Sequence, residues 1–242
     1  MTTRDFSNQF DVLVSSYMRF KYFDKREILD SVEFDEYEKS VYLTMAQDEL
    51  IVSLYSGRNI YGKAFEETEE LRRYLEGLVR TKSFNTETDV DDSRTDHISS
   101  NSKFFTLPDD LMYIVMEQVT LEDEDLGCAS GSIADVLPVT HDEYMKVRKN
   151  PFRGTTTNRA LRIDAGKNDV EIISKYSFST YTLRYVSNPT PIIVEDLPDG
   201  VSIKGFSRES ECSLPEPLHK PLLELAVQMA LASKGLTLHT NN

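Results

Sequence analysis

Phe6, Phe10, Leu13, Tyr17 and Phe20 recur at intervals of 4, 3, 4 and 3 residues, with Asp5, Asn8, Gln9 and Ser16 between them. That is the apolar stripe of an amphipathic helix, so the opening segment is predicted to be helical. A connector, "RFKYFDKREILDSVEF", leads to a second helix over "DEYEKSVYLTMAQDELIVSLY". Asp35 is placed as its N-cap, Glu38 completes a capping box and Gly57 ends the run. Tyr37, Val41, Leu43, Met45, Leu50, Val52 and Leu54 supply more apolar surface than one stripe needs, which predicts a helix covered on two sides. "FEETEELRRYLEGLVRT" reads as a third helix, with Glu66, Glu67, Glu69 and Glu70 early and Arg72, Arg73, Arg80 and Lys82 late, the order the helix dipole favours.

Residues 85–102 hold almost no large apolar side chains and many turn formers, so they read as a loop. Beyond it the periodicity changes. "KFFTLP", "LMYIVMEQVTL" and "IADVLPV" are runs rich in β-branched and aromatic residues, as strands are. "THDEYMKVRKN" predicts one short helix, capped by Thr140 with Glu143 three residues on and stopped before Pro151. "RALRID", "DVEIISKY" and "YTLRYV" predict an antiparallel meander, and "NPTPIIV" a proline-bounded edge strand. The last apolar segment, after "LPEPLHK", predicts a buried closing helix with Leu218, Leu222, Leu225 and Met229 on one face and Leu223, Ala226, Val227 and Ala230 on another. Pro215 and Pro217 set its entry and Gly235 its end. The expected fold class is α+β: an N-terminal helical bundle (1–84 with 212–242) carrying a C-terminal closing helix, packed on an antiparallel β-rich half (85–211) that includes one short helix. The terminal "LTLHTNN" is too short for a domain and reads as a candidate docking tail.

Charge narrows the function. Against 27 Lys and Arg stand 41 Asp and Glu, a formal net charge of −14 in 242 residues. This argues against a nucleic-acid binder of the basic-patch kind. An acidic surface repels phosphate, which suits solubility before assembly or a wall along which DNA slides without sticking. Cys128 and Cys212 alone make no disulfide framework and no metal spacing. The start, "MTTRDFSNQFDVLV", lacks the pattern of a secretory signal, and no apolar stretch reaches the roughly 20 residues that span a bilayer.

The search for chemistry returns no catalytic motif. Neither common phosphate-cradling loop occurs. "GCASGS" fails the nucleophile-elbow spacing at both Ser130 and Ser132. His97, His141, His219 and His239 form no ligand pair, and His219 at a helix start reads as a cap or packing residue. Asp89, Asp91 and Asp92 do not begin a calcium loop, since Arg94 and Ser100 stand where Gly and Glu are needed. We therefore expect no enzyme, no cofactor and no metal. One stretch reverses the prevailing charge: "RKNPFRGTTTNRALR", with Arg148, Lys149, Arg153, Arg159 and Arg162 and no acid. It is a candidate contact with an acidic partner, protein in preference to DNA because Phe152 is its only aromatic residue.

Read in order, "FSNQFDVLV", "DEYEKSVYLTMAQDELIV", "FEETEELRRYLEGLV", "LRYVSNPTPIIVEDL" and "ECSLPEPLHKPLLELAVQMAL" resemble the neck or ring adaptor proteins of short-tailed bacteriophages, most closely those of crAss-like phages. The most specific part is "YVSNPTPII" coupled to "LPEPLH" ahead of a closing helix. The chain departs from that pattern at Ser213, where an acid follows the cysteine in the family, and in the long connector between the first helices. The resemblance implies a structural virion protein, made in the host cytoplasm, forming a ring of twelve copies between portal and tail. Its partners are then itself, the portal and other ring proteins, with DNA passing through the channel and no membrane involved. Within the ring, basic 148–162 of one copy is expected to meet Glu66, Glu67, Glu69 and Glu70 of the next. The alternative is a cytoplasmic, non-enzymatic interaction module or assembly factor absent from the finished virion.

Overall fold

The computed structural model describes residues 1–21, 32–59, 62–91 and 93–236. Most of the connector after the first helix, the side chain of Phe20, Asp92 of the acidic loop and the tail beyond Leu236 lie outside the described residues. In chain order the elements are α1 (Thr3–Lys21), α2 (Glu36–Ser56), α3 (Glu69–Leu75), β1 (Val79–Asn85), β2 (Ser102–Thr106), β3 (Leu111–Leu121), β4 (Ile133–Pro138), α4 (His141–Val147), β5 (Arg159–Gly166), β6 (Asp169–Ile173), β7 (Phe178–Ser187) and α5 (His219–Ser233). The fold class is α+β. Contacts divide the chain into two compact units, Met1–Leu78 with Pro189–Asn242, and Val79–Asn188.

In the helical unit, Phe6, Phe10, Val14 and Met18 form the buried stripe of α1. Phe10 meets Phe34 edge-on at 5.6 Å, and Phe34 meets Tyr42 at 5.9 Å, geometries that the ring quadrupoles favour. Lys39 is buried and bonds Asp11 at 2.7 Å and Glu36 at 2.9 Å. Burial works to lower its pKa, but the two carboxylates outweigh that and hold the ammonium above its usual value. The capping box forms as the sequence predicts: the Asp35 side chain accepts from Glu38 N, the Glu38 side chain accepts from Asp35 N, and Gly57 closes the helix at φ 78°. In α5, Leu222, Leu223, Ala226, Val227, Ala230 and Leu231 are buried, while Leu225 and Met229 are half-buried. His219 packs at 5.3 Å from Phe6 and its Nε2 lies 2.8 Å from Leu214 O.

Two expectations fail in this part of the chain. The third helix does not continue to Thr81: α3 begins after its N-cap Thr68, ends at Leu75, and the chain enters the sheet at Val79. Gly77 weakens helix propagation, and Val79 and Thr81 favour extended backbone. Nor is "NPTPIIV" an edge strand of the sheet, since only an isolated bridge joins Ile193 to Ser210. The segment is extended, but one helix face satisfies it. Thr44 Oγ1 donates to Ile192 O at 3.2 Å and accepts from Ile192 N at 3.1 Å. Ser40 Oγ accepts from Val194 N at 3.0 Å, and Gln47 Nε2 donates to Thr190 O at 2.8 Å. Ser40, Thr44 and Gln47, at helical spacing, thus do what a neighbouring strand would otherwise do.

In the other unit the described strands form one seven-stranded sheet in the order β1-β7-β3-β4-β5-β6-β2. The predicted meander is corrected. β5 and β6 form an antiparallel pair, but β7 lies between β1 and β3, and β4 runs parallel to β5. The parallel pair follows from α4, which carries the chain back so that β5 starts beside Asp135 instead of Pro138. Side chains alternate across the sheet. Phe84, Phe105, Val119, Val170, Tyr181 and Leu183 belong to the main core, whereas Leu161, Ile163 and Ile173 pack with Tyr144 and Val147 of α4. Buried Glu171 accepts from Ile98 N at 2.9 Å and from the Ser102 hydroxyl, which anchors the long acidic loop to β6.

Candidate functional site

The basic segment begins where α4 ends. Thr140 Oγ1 accepts from Glu143 N at 3.2 Å to start that helix, and Arg148 and Lys149 sit exposed at its C-terminal end. Asn150 then builds the turn: its Oδ1 accepts from Phe152 N at 2.9 Å, and its carbonyl accepts from Gly154 N at 2.8 Å and Arg153 N at 3.2 Å. Gly154 is buried there, and a Cβ on it would stand 3.0 Å from Asn150 O, so no larger residue fits without a shift. Arg159 Nη1 donates to Phe152 O at 2.7 Å. These bonds hold the backbone of the turn and leave Phe152 86% exposed beside exposed Arg153.

Arg162 does not join this surface. It lies on β5 on the same side as Ala160 and reaches Glu117 Oε2 at 2.7 Å, with its Nε 3.2 Å from Asp164 Oδ1. Glu117 also accepts from the Tyr181 hydroxyl. Burial pushes the Glu117 carboxyl above its usual range, against the pull of Arg162 and Tyr181. Burial and the adjacent Glu117 raise the Tyr181 phenol far above its ordinary value, so it stays protonated and donates. In the linear sequence Arg162 reads as one more cation of a basic run. The strand alternation that turns it toward Glu117 is visible only once β5 is paired.

Glu66, Glu67, Glu69 and Glu70 lie in the helical unit and all are exposed. Glu69 bonds Arg73 at 2.7 Å and Glu70 accepts from Tyr74 at 2.6 Å, while Glu66 and Glu67 occupy the turn before the Thr68 cap.

Sequence reasoning missed a cleft of about 840 Å³ in the sheet. β3 pairs with β4 only over Gln118–Thr120, and from there β4 follows β5 instead. The two strands diverge, and Leu111, Met112, Met116 and Leu137 line the opening. Its charged lining is four carboxylates, Glu117, Asp135, Asp164 and Asp169, against Arg162 and Lys167, a formal surplus of two negative charges. Among the described residues no Ser, Cys or His lines it, and both Glu117 oxygens are engaged by the fold. Among the described residues no group of three or more His, Cys, Asp or Glu is placed to hold a metal ion, and no helix is long and apolar enough to cross a membrane. What the arrangement offers is recognition: a rigid basic turn with a bare aromatic ring, and an apolar, acidic cleft.

The family described as "Phage tail ring protein 3/4" matches residues 1–242. The chain is 46% identical to "Ring protein 3" of Bacteroides phage crAss001 over 235 residues, covering 97% of this chain and 96% of that protein. It is 29% identical to "Ring protein 4/5" of the same phage over 249 residues, covering 96% and 93% respectively.

Proposed function

The chain belongs to the phage tail ring protein 3/4 family, and from that premise we propose that it is a structural protein of the virion, closing into a ring in the neck between portal and tail and leaving a channel for DNA. The observation that carries this reading is the family match along residues 1–242. The physical chemistry agrees with a scaffold. Buried polar groups such as Lys39, Glu117 and Glu171 are bonded to partners within their own unit, and a formal charge of −14 keeps phosphate from adhering. Twelve copies, contact with the portal and with other rings, and synthesis in the host cytoplasm belong to the same proposal. Copies meet head to tail, because only heterologous contacts close a ring of this kind, and the turn 148–154 supplies one side of each contact.

Mass spectrometry of purified particles of the phage that encodes the chain tests the assignment. A ring protein is present at a fixed copy number relative to the portal. Absence from finished particles, with presence in assembly intermediates, would assign the chain instead as an assembly factor.

A further inference from the structure

The rigid basic turn has a matching receptor on the same unit. Phe152, 86% exposed, is not seated in the cleft of its own copy, although that cleft is apolar and acidic and the turn is aromatic and basic. The turn feeds β5 at its first residue, Arg159, which pairs with Asp135 at one end of the cleft, and the cleft runs on from there along the β4–β5 pair to Pro138 and Asp164. Two complementary features on one unit that do not engage each other are the ingredients of a head-to-tail contact. Resting on the ring reading above, we propose that Phe152 and Arg153 of one copy seat in the split between β3 and β4 of the next copy.

Three observations favour this occupant. Charge is complementary: Arg148, Lys149 and Arg153 carry three positive charges toward a lining with a surplus of two negative ones. The ligand is preorganised by Asn150, Gly154 and Arg159, so docking orders little further backbone. The receiving wall holds Met112 and Met116, whose unbranched side chains adapt to an inserted ring. In this proposal the cleft takes the place of Glu66, Glu67, Glu69 and Glu70 as the acceptor; Glu69 and Glu70 bond Arg73 and Tyr74 within their own helix.

The test is self-association of the full chain, followed by analytical ultracentrifugation and electron microscopy. Arg153→Glu with Phe152→Ala weakens association by at least about tenfold, the loss of one anchoring contact. Arg153→Glu alone is rescued when Asp135→Lys is added to the same chain. A short bis-maleimide, in a Cys128→Ser background, links a Lys149→Cys copy to a Leu137→Cys copy. Wild-type rings that persist unchanged in the Phe152→Ala, Arg153→Glu variant would overturn the proposal while leaving the ring reading intact. So would rescue of Arg153→Glu by Glu66→Lys in place of Asp135→Lys, which would return the acceptor to the helical unit. Intact self-association with lost binding to duplex DNA would assign the turn to nucleic acid and overturn it as well. Failure of the wild-type chain to associate at any concentration, both alone and with the portal protein of the same phage, would remove the ring reading, and this inference with it.

Discussion

Arg162 and Glu117 form a buried ion pair within the sheet. Both lie almost out of solvent, with 11% and 3% of their side chains exposed, and bond at 2.7 Å. Removing one partner strands the other charge, so Arg162→Met is expected to cost about 3–5 kcal/mol at neutral pH, read by chemical denaturation. The pH dependence has a definite sign. Burial raises Glu117 above its unfolded value, so its contribution to stability is fully present below the unfolded pKa and is lost as pH rises through the folded one. Losing Arg162 raises that folded pKa further. The cost of Arg162→Met is therefore smallest in acid and grows as pH climbs toward neutrality, and adding Glu117→Gln recovers most of it and flattens the profile. A cost independent of pH would mean that packing of the Arg162 stem, not its charge, is what matters.

At the scale of elements, the capping and period arguments carry furthest. Asp35 with Glu38, Gly57, and Thr140 with Glu143 mark helix ends that the structure places at those residues, because caps are local chemistry between residues three or four apart. β3 likewise spans "LMYIVMEQVTL" from Leu111 to Leu121. Pairing is not legible in the sequence. Nothing local says that β7 crosses to lie between β1 and β3, or that β4 leaves β3 after three residue pairs and opens the cleft. The extended "PTPII" run misleads for a related reason, because extended backbone does not say whether a strand or the Ser40, Thr44 and Gln47 side chains satisfy it. That latter arrangement gives a prediction. Thr44→Val keeps the shape and leaves Ile192 N and O without their partner, so it should cost about 1–3 kcal/mol. Native-state hydrogen exchange should then speed up at the Ile192 amide; unchanged exchange would show that the helix does not hold this segment.

For the whole molecule, an assembly surface leaves little trace in one dimension. The basic run could be read because a cluster of cations stands out against a net charge of −14, whereas its acceptor is made by two strands diverging. Under the proposed contact, ring closure needs both, on every copy, facing around one axis. Electron microscopy of the purified chain, alone and mixed with the portal protein of the same phage, addresses this most directly. Closed rings of one diameter and twelvefold symmetry, formed alone or seated on the portal, are the expected result. Monomers that ignore the portal at every concentration would contradict a neck ring in contact with it.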